Sequence, residues 1–142
     1  MTIYADTSFL ISKYLSDVHS AEADHRMMGR PEVWLSQLNR VEMANAIYRS
    51  VFHGRGTLAD ARLIWDQFEE DCERGVWIEV ALPEGLWRTS IDLARRHGPT
   101  LGVRTLDSLH VACALELKSR QFWTFDERQA RLAETVGLAT RP

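Results

Sequence analysis

Met1-Thr2-Ile3-Tyr4-Ala5-Asp6-Thr7-Ser8 opens the chain, and its reading decides the fold. Thr2 to Ala5 is β-branched and aromatic, the make-up of a short strand. The strand ends on a carboxylate, Asp6. Thr7 or Ser8 then caps a helix starting near Phe9. An acid at the carboxyl end of a strand, facing a helix start, lies where open α/β sheets bind ligands. Three later acids, Glu42, Asp107 and Asp126, are placed to meet it, and the four read as one metal site.

Outward from that start, Phe9 to Leu15 is apolar on most sides and reads as a buried helix. Asp17 to Ser20 breaks it, and Ala21 to Met28 makes a second short helix ended by Gly29-Arg30-Pro31. Val33-Trp34-Leu35 is a second strand. From Gln37 to about His53 the period becomes helical, with Leu38, Val41, Met43, Ala44, Ile47, Tyr48 and Val51 on one broad apolar face. Gly54 and Gly56 end it. Thr57 caps the next helix with Asp60 as its capping-box partner, and Leu58, Ala61, Trp65, Phe68 and Cys72 fall on one stripe. These two helices form a helical hairpin.

Val76 to Val80 is a third strand. Leu82-Pro83-Glu84 begins a helix that runs to Arg95-Arg96-His97 and stops at Gly98-Pro99. Thr100 to Arg104 is a link, and Thr105 caps a helix through Asp107 to about Leu117. Phe122 to Phe125 is a fourth strand ending on Asp126. A last helix, Glu127 to Thr135, stops at Gly137, and Leu138 to Thr140 adds a final edge strand. Strands alternating with helices predict an α/β fold with a mostly parallel sheet covered on both faces.

Composition bounds the function. The 142 residues, 45% hydrophobic and 26% charged, suit one ordinary globular domain spanning 1–142. No apolar run is long enough to cross a bilayer, and no secretory signal is expected before Asp6. Cys72 and Cys113 form no CxxC and no zinc spacing, so both read as buried thiols in a reducing cytoplasm. Net charge is −3; the four acids account for −4 of that and leave +1 for the rest, a balance that neither excludes nor favours RNA.

The chemistry follows from the acids. Asp6 and Asp126 each follow a strand, so in a parallel sheet both emerge on one edge. Asp107 lies in a helix's first turn, where the macrodipole tolerates an acid. Glu42 sits one turn past Leu38 and has the longer reach. Four clustered carboxylates stay ionised together only around a cation. An all-oxygen, sulfur-free set suits Mg²⁺ or Mn²⁺. Such a site suits phosphodiester hydrolysis, the metal making hydroxide from water and neutralising the phosphate. Each acid alone has a plainer reading as a cap, a dipole partner or a solvated surface charge; the combination carries the argument. His110 shares a helical face with Asp107 and reads first as a packed core histidine, second as support for a ligand. The five tryptophans read as core, and Arg40, Arg49, Arg55, Arg104 and Arg128 are candidate phosphate contacts. No GxGxxG, P-loop, HExxH or GxSxG is present.

Tyr4-Ala5-Asp6-Thr7-Ser8, Val41-Glu42-Met43-Ala44-Asn45-Ala46, Arg104 to Ala112 and Thr124-Phe125-Asp126 together resemble PIN-domain proteins of the VapC toxin type, across essentially the whole chain. The resemblance implies a PIN-like three-layer fold. It implies metal ligands at Asp6, Glu42, Asp107 and Asp126, supported by hydroxyls at Ser8 and Thr124. It implies a Mg²⁺- or Mn²⁺-dependent endoribonuclease that cuts a structured RNA such as a tRNA or rRNA loop. A homodimer and a cognate VapB-type antitoxin are implied too, in a heterotetramer or larger assembly, in the cytoplasm and without a membrane. Two competitors remain: a non-catalytic PIN-like module that binds RNA or protein, and a small-substrate phosphatase. The second lacks its DxDxT signature, since Ser8 stands two places after Asp6.

Overall fold

The computed structural model describes residues 2–141. Among these residues, four short strands form one parallel sheet in the order β3-β2-β1-β4. They are β1 (Ile3–Ala5), β2 (Val33–Leu35), β3 (Trp77–Glu79) and β4 (Gln121–Trp123). Tyr4 lies opposite Trp34 on one side and Phe122 on the other, so β1 is central. The helices are α1 (Thr7–Tyr14), α2 (Ser20–Met27), α3 (Gln37–Phe52), α4 (Leu58–Glu73), α5 (Leu86–Leu101), α6 (Thr105–Glu116) and α7 (Glu127–Thr135).

Strand side chains alternate between two apolar cores, as the pleat requires. Ile3, Ala5, Val33, Leu35, Trp77 and Trp123 face one side and pack with α1 to α4 through Phe9, Leu10, Met43, Ile47 and Phe68. Tyr4 and Phe122 face the other, with Leu86 and Leu93 of α5, Leu109 and Val111 of α6 and Leu132 of α7. The result is the expected three-layer α/β architecture. Phe9 is the pivot of the first core: its ring lies 5.1 Å from Trp123, 5.4 Å from Phe125 and 6.4 Å from Trp77. The hairpin of α3 and α4 is opened by a reciprocal cap in which Asp60 N–H donates to Thr57 Oγ1 at 3.1 Å and Thr57 N–H to Asp60 Oδ2 at 2.8 Å. Both cysteines are free, Cys113 buried and Cys72 half-buried.

Several boundaries differ from the sequence expectations. Asp6 itself, not Thr7 or Ser8, caps α1, because its short carboxylate reaches the Phe9 N–H. Arg104, not Thr105, is the cap position of α6. The helix after β3 opens at Leu86 rather than at Leu82-Pro83-Glu84, which instead makes a turn closed by Leu86 N–H on the Pro83 carbonyl at 3.1 Å. At its far end α5 runs through Gly98-Pro99 to Leu101 and stops at Gly102, left-handed at φ 61°. Leu101 packs against the second core, and that burial holds the last turn although Pro99 removes one backbone hydrogen bond. The broad apolar face of α3 is narrower than its pattern: Met43 and Ile47 are buried, while Val41 and Tyr48 are exposed, as is Leu58 at the start of α4. β4 is shorter than expected, so Thr124 and Phe125 separate it from Asp126. The final edge strand reduces to one parallel bridge, Gln121 to Ala139.

Candidate active site

The carboxyl edge of β1 is where the site begins. Asp6 N–H donates to the Trp123 carbonyl at 3.0 Å, which ties the end of β1 to β4. The Asp6 side chain is fully buried. Oδ1 accepts from Ser8 Oγ at 2.6 Å and from Phe9 N–H at 3.2 Å, and Oδ2 accepts from Thr124 Oγ1 at 2.7 Å. Ser8 and Thr124 are held in turn. Phe125 N–H donates to Ser8 Oγ at 2.9 Å and Asp126 N–H to Thr124 Oγ1 at 3.0 Å. Burial pushes the Asp6 carboxyl up to about 6; the hydroxyls of Ser8 and Thr124, the charge of His110 and the Phe9 N–H offset only part of that. Among the described residues no cation forms an ion pair with Asp6, although its hydrogen bonds favour the charged form.

Glu42 is presented by α3. The start of that helix is anchored by Asn39, whose Nδ2 donates to the Ala5 carbonyl at 3.0 Å and whose Oδ1 accepts from Ser36 N–H at 2.8 Å. One turn on, Glu42 Oε1 accepts from Thr7 Oγ1 at 2.8 Å and is hydrogen-bonded to His110 Nε2. Burial acts to raise the Glu42 carboxyl, but the His110 and Thr7 hydrogen bonds and the charges of His110 and Arg104 outweigh it and hold it below the usual range. His110 is fully buried on α6, with its other ring nitrogen 2.9 Å from the Tyr4 hydroxyl. A carboxylate can only accept, so Nε2 carries the proton in the Glu42 contact.

Asp107 and Asp126 meet through Arg104. Asp107, nearly fully buried in the first turn of α6, accepts from Arg104 N–H at 3.0 Å, from Nε at 3.2 Å and from Nη2 at 3.3 Å. Arg104 Nη2 also donates to Asp126 Oδ2 at 3.0 Å. Asp126 caps α7, its Oδ1 accepting from Gln129 N–H at 3.0 Å.

Glu42, Asp107 and Asp126 line one cavity of about 680 Å³ together with Ser8, Arg49 and Arg104. Asp6 lies beneath it, joined through Ser8. Asp6, Glu42, Asp107 and Asp126 thus lie at one edge of the sheet, three of them lining one cavity. Among the described residues, however, no three acidic, histidine or cysteine side chains already stand close enough to hold one ion. Glu42 is turned to His110 and Thr7, and Arg104 lies against Asp107 and Asp126.

A profile of the PIN domain matches residues 3–135. The chain belongs to the PIN domain family. A sequence search of curated proteins gave no match. Among solved structures, the fold is similar to VapC20 of Mycobacterium tuberculosis, a sarcin-ricin loop cleaving toxin, with a TM-score of 0.71, 17% identity and 99% of both chains covered. It is also similar to FitAcB of Neisseria gonorrhoeae, with a TM-score of 0.68, 14% identity, and 99% of this chain and 96% of that chain covered.

In this PIN domain two residues organise the acids. His110 fills both of its sequence readings: it packs, fully buried, and it supports a candidate ligand by fixing Glu42 across the cleft between α6 and α3. Its three-residue spacing from Asp107 gives the shared helical face but not the partner, Glu42. Arg104 was one of five candidate phosphate contacts, yet it alone among them bridges Asp107 and Asp126; its own three-residue spacing from Asp107 was the clue. Arg40 lies elsewhere, paired with Glu69 and with Glu79 at 3.4 Å. Of the tryptophans, Trp77 and Trp123 are core, whereas Trp87 is exposed.

Proposed function

We propose that this PIN domain is a Mg²⁺- or Mn²⁺-dependent endoribonuclease and the toxin of a type II toxin–antitoxin pair. The observation that carries the reading is Asp6: a fully buried carboxylate, without a cation partner among the described residues, beneath a cavity lined by three further acids. Removing a carboxylate from water without a counter-charge is costly, and a divalent cation supplies that charge. The donors are all oxygen, a set that suits Mg²⁺ or Mn²⁺. Asp6, Glu42, Asp107 and Asp126 would hold the ion. Bound there, the metal would supply an activated water and neutralise charge on the scissile phosphate.

The chain's own residues do the positioning. Ser8 and Thr124 fix both oxygens of Asp6, and His110 with Thr7 keeps Glu42 ionised and aimed. Arg104, more than half exposed, is free to turn from the acids towards a phosphate oxygen. A structured RNA loop, of rRNA or tRNA, is the substrate of this reading; VapC20, which shares the fold, is a sarcin-ricin loop cleaving toxin. A VapB-type antitoxin and a homodimer, assembling into a heterotetramer or larger, belong to the same reading. Exposed apolar side chains on the helices, among them Phe52, Leu63, Trp87 and Ile91, give partners surface to cover. Among the described residues no helix is long and apolar enough to cross a membrane. A cytoplasmic site of action belongs to the toxin reading.

One observation favours a second reading, a module that binds RNA or protein without cutting: Arg104 already neutralises Asp107 and Asp126. Purified, antitoxin-free protein incubated with total RNA separates the two. Discrete cuts that need Mg²⁺ or Mn²⁺, stop with chelator, and vanish in Asp6→Asn and Asp107→Asn variants are expected. Folded variants that cut as well as the parent would leave the binding module as the better account.

A further inference from the structure

The acidic cavity does not stand alone. A second cavity of about 360 Å³ adjoins it and shares Ile11, Ala46 and Arg49 with it; His53 and Arg55 also line it. A third, of about 570 Å³, shares Arg104 and Asp126 with the central one and adds Arg128 and Arg131. The three make a continuous trough with carboxylates in the middle and guanidinium groups at both ends. Arg49, Arg55 and Arg128 are exposed and carry no ion-pair partner among the described residues; Arg62, Arg88 and Arg95 are exposed and unpaired too, but line none of the three cavities. Arg131 is held only by Glu127 at 3.9 Å.

We propose that a phosphodiester chain lies along this trough, with Arg49 and Arg55 holding phosphates on one side of the central acids and Arg128 with Arg131 holding phosphates on the other. The inference rests on the nuclease reading only in taking the central phosphate as the scissile one. A repeating anion fits a cation–anion–cation layout: the flanking phosphates meet guanidinium groups, and the acids at the centre need a metal before a phosphate can sit there. Arginine is the side chain suited to the flanks, since its planar fork matches two phosphate oxygens. The trough reads backbone, not bases. The aromatic ring in the third cavity, Phe125, is already stacked by His19 at 4.5 Å and by Phe9 at 5.4 Å, so it offers no free face to a base. Any preference among RNAs then comes from the shape of the backbone path.

Binding can be measured without cleavage, by fluorescence anisotropy with Ca²⁺ in place of Mg²⁺ or Mn²⁺ and a labelled single-stranded RNA of about 12 nucleotides. The variants are Arg49→Gln with Arg55→Gln for one end, Arg128→Gln for the other, all three together, and Arg88→Gln as an exposed control on α5. Each end variant is expected to weaken binding about threefold or more, equally for RNAs of different sequence. The triple variant should flatten the slope of log affinity against log salt by about two, at roughly 0.7 per lost contact on a single strand. Arg88→Gln should change neither. Trough variants that bind like the control, or a loss confined to one end, would overturn the proposal. So would a poly-glutamate peptide that displaces the RNA as well as unlabelled RNA does, since the trough would then serve an acidic protein segment. A parent that binds along the trough yet cuts nothing would sink the nuclease reading and leave this one standing; a parent that cuts while the trough variants bind unchanged would do the reverse.

Discussion

Arg104 holds two acids at once, and that single contact sets how the site meets a cation. Its guanidinium lies 3.2 Å and 3.3 Å from the Asp107 oxygens and 3.0 Å from an Asp126 oxygen, while its backbone N–H caps the same Asp107. The side chain is 58% exposed, so it can leave at modest cost. A divalent ion entering between Asp107 and Asp126 competes with it directly. Arg104→Gln removes the competing charge and keeps the backbone cap. We expect Mn²⁺ to bind this variant about fivefold more tightly in a calorimetric titration, the scale of one or two weak surface ion pairs. Equal or weaker Mn²⁺ binding would mean that Arg104 supports the ligand geometry instead of opposing the ion. At this scale the sequence was legible where residue type alone decides. Four oxygen donors point to a hard cation whatever surrounds them. It was not legible where contact decides: nothing in Asp107-Ser108-Leu109-His110 says that the histidine turns to Glu42, because that depends on how closely α6 approaches α3.

Elements were legible where periodicity and caps agree, as in β2, α3, the Thr57 cap and α7. They were misread where a local breaker was overruled by packing. Gly98-Pro99 is a common stop signal, yet α5 continues to Leu101 because Leu101 and Val103 pack against the second core. The true stop is Gly102, whose φ of 61° and N–H bond to the Gly98 carbonyl at 2.9 Å close the helix. No Cβ clash awaits there, so the cost of a side chain is conformational alone. Gly102→Ala should therefore lower stability by about 1–2 kcal/mol, the cost of placing an L-residue in the left-handed region. Urea unfolding monitored by tryptophan fluorescence measures it. Gly98→Ala is the internal contrast: it lies within a helix with nothing within 4 Å of an added Cβ, and should stabilise by up to about 1 kcal/mol. The opposite pattern, with position 98 sensitive and 102 indifferent, would put the end of α5 where the sequence alone placed it.

For the whole molecule, the parallel sheet was foreseeable from the alternation of strands and helices, but its strand order was not: three-residue strands carry too little pattern to choose neighbours. That order matters, because it sets β1 between β2 and β4 and so buries Asp6 under Ser8 and Thr124. The buried carboxyl links the stability of the entire fold to pH. Its value of about 6 in the folded chain stands above the 3.8 of a free aspartate side chain, so folding favours the protonated form. Stability of the metal-free chain is then greatest below about pH 4 in this group's contribution and is lost as pH rises through about 6, by up to about 3 kcal/mol. Glu42 runs the other way: its depressed carboxyl contributes stability that is present above 4.5 and is lost as pH falls through its lower folded value, so it opposes Asp6 only at the acid end of the Asp6 window. In EDTA, the melting temperature should fall between about pH 4 and about pH 6.5 for the parent chain and stay nearly level for Asp6→Asn, which should also be the more stable of the two at the upper end. Mn²⁺ adds a second arm. A cation that needs Asp6 ionised must displace its proton below about pH 6, so the stabilisation by saturating Mn²⁺ should grow as pH rises through 6 and then level off. In Asp6→Asn the growth should vanish. Parallel melting curves for parent and variant across that range, with and without Mn²⁺, would mean that the Asp6 carboxyl titrates like an exposed one and that the metal reading has lost its main support.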